Sequence, residues 1–173
     1  MSPRVPRIDQ ASPGVDSDAL ACILSRRGGR VSGIDGLLLH SPPLVHGWHA
    51  FFEALWEGCH LNPRIQILAL LRVGHRNRCR YQLAKHTQVA TERGLSAAEI
   101  AATAVAADAS ILQPRERAVL AYADAMTCDV QVPTHTFDAL RPYFHDRDLL
   151  ELTVNIAAYN MVSRTMEALE LRP

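Results

Sequence analysis

Apolar positions along this chain recur three and four residues apart, the period of an amphipathic helix, and no run of useful length alternates as a strand would. The pattern predicts a short helix after Asp16 or Ser17 as N-cap, with Leu20, Ile23 and Leu24 inward and Arg26–Gly29 as its end. Ser41-Pro42-Pro43 opens a second helix, whose stripe reads Leu44, Trp48, Phe51, Phe52, Leu55 and Trp56 before Gly58. Asn62-Pro63 opens a third, in which Ile65, Leu68 and Leu71 repeat at helical spacing while Ile67, Ala69 and Leu70 fill the other side. Such a helix is expected to be buried all round. After a break at Gly74–Asn77 a helix runs from Cys79 to Arg93 and stops at Gly94. Ser96 and Glu99 form a capping box for an alanine-rich helix over Ile100–Ala107. Further helices are predicted over Pro114–Cys128, from Thr134 to Tyr143, and from about Arg147 to Leu169 with Asp146 as cap.

The reading is therefore all-α, with about seven to nine helices in one domain over 16–173. A flexible arm precedes it over 1–15, where three prolines and little periodicity occur. The last helix leaves almost no polar face: Asn155, Asn160 and Arg164 interrupt its central apolar run, and each needs a partner if buried. A helix apolar all round needs cover on every side, and in a chain this short a second copy can supply it. A homo-oligomer is expected.

Charge narrows the function classes. Eighteen basic residues balance eighteen acidic ones, so there is no basic stripe for nucleic acid and no polybasic membrane anchor. The N-terminus lacks the apolar segment of a signal peptide, and no uncharged run suits a membrane span. Cys22, Cys59, Cys79 and Cys128 are far apart and form no CxxC pair, which fits reduced thiols in a cytoplasmic protein.

The densest reactive cluster is His75 to His86. Cys79, Gln82 and His86 are spaced by three and four, so they share a helix face. With Asn77 as N-cap, Cys79 falls in the first turn, where the helix dipole and Arg76, Arg78 and Arg80 favour thiolate. On this reading Cys79 is the most reactive of the four thiols. His86 suits proton transfer near neutral pH. A metal site of His75, Cys79 and His86 lacks a fourth ligand, and Lys85 lies off the shared face, so neither a metal nor a cofactor is expected. His40, His46 and His49 read as solvated or core-edge residues.

Two stretches resemble the carboxymuconolactone decarboxylase and alkylhydroperoxidase D (AhpD) superfamily. Leu61 to Ile100 is similar to that group's "LRVA" helix, "C-x-Y-x-x-x-x-H" helix and "G-L-S-x-x-E-I" turn. Leu149 to Leu169 is similar to its closing helix ending in "N-x-x-x-R-x-x-x-A-L". The resemblance implies an AhpD-like helical bundle, assembled as a trimer or hexamer, with Cys79 and His86 at the site and Tyr81 and Gln82 lining a substrate pocket. It departs from the thiol peroxidases at two places: Gln82 stands for the second cysteine, and Ile67 for a glutamate twelve residues before the first. Without a resolving thiol in the helix, Cys79 cannot cycle through a local disulfide. The first implied function is thus acid–base chemistry of decarboxylase or lyase type by His86 on a small carbonyl or carboxylate substrate. The alternatives are a peroxiredoxin-type alkylhydroperoxidase using Cys79, and a non-catalytic oligomer that kept the fold.

Overall fold

A computed structural model describes residues 3–173; the first two residues of the arm expected over 1–15 lie outside them. Among the described residues there are nine α-helices and no strand: α1 (Ser17–Arg26), α2 (Gly33–Leu38), α3 (Pro42–Glu53), α4 (Pro63–Arg76), α5 (Arg80–Glu92), α6 (Ala97–Ala101), α7 (Pro114–Cys128), α8 (Thr134–Asp138) and α9 (Asp146–Ala168). One π-helical turn, Ala54–Gly58, extends α3. No helix among the described residues is long and apolar enough to cross a membrane.

The helices fall into two compact units. The first comprises the residues up to Cys59 together with Ala168–Pro173. In it Asp16 caps α1, as its position predicts, accepting from the backbone of Asp18 and Ala19. The N-terminal arm is hydrogen-bonded here: Arg4 N–H reaches the Leu169 carbonyl at 2.9 Å and Ile8 N–H the Gly36 carbonyl at 2.9 Å. A Cβ on Gly36 would stand 2.8 Å from the Ile8 carbonyl oxygen, so only glycine admits the arm this closely. The helix α2 has no counterpart in the sequence reading. The face of α3 is also corrected. Leu44 and Phe51 are 59% and 40% exposed, and the buried positions are Val45 and His49. His49 turns inward because Asp35, fully buried on α2, lies 3.1 Å from its Nε2. Arg27 and Ser32 also hold that carboxylate.

The second unit, His60–Glu167, carries the candidate site. Asn62 caps α4 by accepting from Arg64 N–H, and Ile65 to Leu71 are all buried, so α4 is enclosed as its apolar composition requires. The Ser96–Glu99 capping box is present in full, but α6 stops at Ala101 and does not reach Ala107. Thr103 donates its hydroxyl back to the Ile100 carbonyl, and Ala106 sits at φ 63, outside helical space. The packing of α4 joins α7 on one side and α5 on the other.

Candidate functional site

The link between α4 and α5 fixes the site. Asn77 ends α4, and Arg78 follows at φ 54, in the left-handed region. Arg78 N–H returns to the His75 carbonyl and Cys79 N–H to the Gly74 carbonyl, the paired bonds of a Schellman turn. The same Cys79 is the N-cap of α5. Asn77 is therefore the end of one helix, and not the cap of the next. Cys79 is clamped from both sides.

That placement overturns the expected reactivity of Cys79. Its side chain is fully buried, and Sγ lies 4.0 Å from Met166 Sδ. Burial pushes the thiol above its ordinary value. The backbone N–H groups of Gln82 and Tyr81 pull it down, while the Glu167 carboxylate, hydrogen-bonded to the thiol, helps keep the proton on sulfur. The flanking arginines do not offset this, because the Arg76 guanidinium is spent on Asp124, at 2.5 Å and 2.6 Å.

Gln82 and His86 extend the same buried face of α5. Gln82 is 1% exposed, and its Nε2 donates to the Leu70 carbonyl at 2.8 Å. A carbonyl can only accept, so Gln82 Oε1 faces the other way, toward Ser163. The Ser163 hydroxyl lies between that oxygen and the Tyr159 carbonyl, 2.8 Å from the latter. His86 Nδ1 lies 2.8 Å from the Gln82 carbonyl. By the same rule Nδ1 carries the proton, and the neutral ring has its basic lone pair on Nε2. The Tyr159 ring meets the imidazole edge-on, with centroids 5.0 Å apart. Burial pulls the His86 pKa down to about 4. The Gln82 carbonyl opposes this weakly, and Lys85 and Arg93 add to it.

Three contacts thus pair α5 with α9 in antiparallel register: Cys79 with Met166, Gln82 with Ser163, and His86 with Tyr159. The α9 partners escaped the sequence reading. Their signal was the three- and four-residue spacing of Tyr159, Ser163 and Met166 within an apolar run. Tyr81 is half-buried and lies roughly 100° around the helix from Gln82. Lys85 is exposed. His75 is half-buried in the last turn of α4, where burial and then Arg72 lower its pKa. Among the described residues no group of three or more His, Cys, Asp and Glu side chains could hold a metal ion. Ile67 is fully buried in α4, so no carboxylate approaches the site from that position. Charge on α4 is directed away from α5: Arg64 binds Glu99 and Glu116, and Arg72 binds Asp124 through two 2.7 Å bonds.

A model of the carboxymuconolactone decarboxylase family matches residues 42–125. Among solved structures, an Agrobacterium tumefaciens protein of unknown function with a suggested AhpD antioxidant role is 26% identical. The match covers 79% of this chain and 95% of that one, with a TM-score of 0.74. A peroxidase-related protein of Ralstonia eutropha JMP134 with an alkylhydroperoxidase AhpD core is 21% identical. That match covers 100% of this chain and 93% of the other, with a TM-score of 0.78. The debrominase Bmp8, solved as a cysteine-to-alanine variant in complex with 2,3,4-tribromopyrrole, is 16% identical. That match covers 95% of this chain and 88% of the other, with a TM-score of 0.77. No curated protein matches the chain.

Proposed function

Because the chain belongs to the carboxymuconolactone decarboxylase and AhpD superfamily, we propose that it is an acid–base enzyme of decarboxylase or lyase type, with His86 as its proton-transfer group. The observation that carries this reading is the pinned, neutral imidazole: Nδ1 is committed to the Gln82 carbonyl, and the basic lone pair falls on Nε2. A histidine whose pKa lies near 4 gives a proton back readily. It is a weak base until an anion arrives. A carboxylate or enolate bound beside the ring favours imidazolium and raises that pKa toward neutrality, so the site is matched to an anionic substrate. In a decarboxylation the C–C electron pair passes into the adjoining carbonyl as CO2 leaves. The anionic substrate has first let Nε2 take up a proton from solvent, and the resulting enolate carbon then takes that proton, returning the ring to its neutral form. Gln82 holds the imidazole through its backbone carbonyl and is itself locked by Leu70 and Ser163.

The test is CO2 release from a panel of small β-keto and lactone carboxylates. On a turned-over substrate, His86→Gln is expected to lose roughly 10²–10⁴ in turnover, the usual worth of a positioned acid–base group. Cys79→Ser is expected to cost under about tenfold, since serine keeps the cap. Unchanged turnover in His86→Gln refutes the reading.

A second reading is a thiol peroxidase using Cys79, supported by the likeness to the Agrobacterium tumefaciens protein with a suggested AhpD antioxidant role. The thiolate would attack the peroxide O–O bond, releasing an alcohol and leaving a sulfenic acid for an external thiol to reduce. Loss of one thiol per chain on peroxide titration, abolished in Cys79→Ser, would establish it. Self-association is proposed as well, supported by Leu150 and Met161, which are 64% and 44% exposed on α9. A monomer by light scattering at micromolar concentration would refute that.

A further inference from the structure

The face of α9 that meets α5 continues one turn beyond Tyr159, and there it carries Asn155. Helical spacing aligns Asn155 with Tyr159, Ser163 and Met166, the three residues already paired to His86, Gln82 and Cys79. Extrapolated by one turn, the antiparallel register leads from Asn155 toward Ala90, the α5 residue one turn past His86. Ala90 is fully buried and offers only a methyl group. Asn155 is 1% exposed, yet neither its Nδ2 nor its Oδ1 meets a protein hydrogen-bond partner. It is the one side chain among the described residues with both polar ends buried and unmatched. Buried carboxamides are as a rule paired. Asn160, five residues on, shows the rule: it bonds Asn77, Thr127 and the Ile156 carbonyl.

We propose that Asn155 is the substrate-binding residue of the His86 site, its carboxamide holding a carbonyl or carboxylate oxygen of a small acid next to the imidazole. The proposal rests on the acid–base reading for the identity of the reaction, but not for binding. Chemically the two groups divide the work. A carboxamide brings two N–H donors and no charge, so it orients an anionic oxygen without neutralising it. The anion's charge is then left to act on His86, where it is needed to raise the imidazole pKa. Alanine at position 90 leaves this level of the seam without a competing polar group from α5.

The full chain, titrated with 2-oxobutyrate as a small keto-acid probe and followed by NMR, tests this. Saturable binding that shifts the Asn155 side-chain amide and the His86 ring is expected. In Asn155→Leu the affinity should fall about tenfold or more, as when a site loses the group built for a substrate oxygen. The melting temperature should hold or rise, because an apolar group of similar volume replaces an unmatched polar one. His86→Gln should keep the affinity within about threefold. Equal affinity in Asn155→Leu overturns the proposal, as does a drop of several degrees in its melting temperature, which would reveal a structural partner. Absence of saturable binding to the wild type overturns it as well. If Asn155 binds the probe while His86→Gln turns over normally, the acid–base reading alone fails.

Discussion

The two sides of α4 and α5 are built on opposite principles. Where α4 meets α6 and α7, the three arginines of α4 are matched by carboxylates. Arg64 spans Glu99 and Glu116, while Arg72 and Arg76 both close on Asp124, at 2.5–2.7 Å. Where α5 meets α9, neutral groups dominate: a thiol, a carboxamide, an imidazole and a hydroxyl, with Asn155 unmatched. Glu116 is fully buried, and burial alone would raise its carboxyl, but Arg64 outweighs that and holds it low. At His86 the Gln82 carbonyl is a weaker counterweight, so burial wins and the pKa falls to about 4. The lesson is that the electrostatics of the first seam are spent on stability. Those of the second await an added charge.

Breaking the matched side should have the largest effect on the fold. Asp124→Ala strands two guanidiniums, one of them 12% exposed, and is expected to cost about 3 kcal/mol by urea denaturation, discounted for partial exposure. The comparison would collapse if Asp124→Ala and Asn155→Leu were equally benign.

Acid separates the seams further. The folded His86 pKa lies below the unfolded 6.5, so between 6.5 and about 4 the unfolded chain binds the extra proton. His86 therefore contributes full stability above 6.5, and that contribution fades as pH falls toward 4, by on the order of 3 kcal/mol over the whole window. His86→Gln should flatten that part of the stability curve. The carboxylates behave differently: Glu99, held near 2 chiefly by Arg64, keeps its contribution until pH falls below the ordinary carboxylate range toward 2. An unaltered curve between pH 6.5 and 4 in His86→Gln would contradict the burial argument.

Thiol labelling sharpens the contrast without mutation. At pH 7, exposed Cys128 should alkylate first, half-buried Cys22 and Cys59 next, and Cys79 last, by at least about tenfold. Peptide mapping with Cys79 labelled first would restore the reading from its neighbours in sequence. The smallest effect is expected at Arg78, whose φ of 54 suits glycine. Arg78→Gly should stabilise by about 0.5–1 kcal/mol through relief of the left-handed strain, with the Cys79 cap intact.

Legibility in the sequence followed the range of the interactions. The Asp16 cap, the Ser96–Glu99 box, the enclosed α4 and the shared face of Cys79, Gln82 and His86 are local, and spacing alone revealed them. The face of α3 was misread because a buried Asp35 reverses the apparent polarity of His49, and α2 carries too little periodicity to announce itself. The chemistry of Cys79 was misread for a related reason. Arg76 is three residues away in sequence, but its charge is fixed by Asp124, 48 residues on, while Met166 and Glu167 enclose the sulfur from α9. Asn155 was visible as a polar interruption needing a partner. Only the fold shows that its neighbour Asn160 found one and that Asn155 did not.

The central claim is that His86 is a pinned neutral base, and its ring nitrogens report on that directly. Nitrogen-15 NMR of the imidazole across pH 3.5–8 should show one neutral tautomer, protonated at Nδ1, persisting at pH 7 and titrating only near pH 4. It should titrate closer to neutrality once a small carboxylate is bound. A ring that titrates near 6.5 in the free protein, or carries its proton on Nε2, would contradict the account.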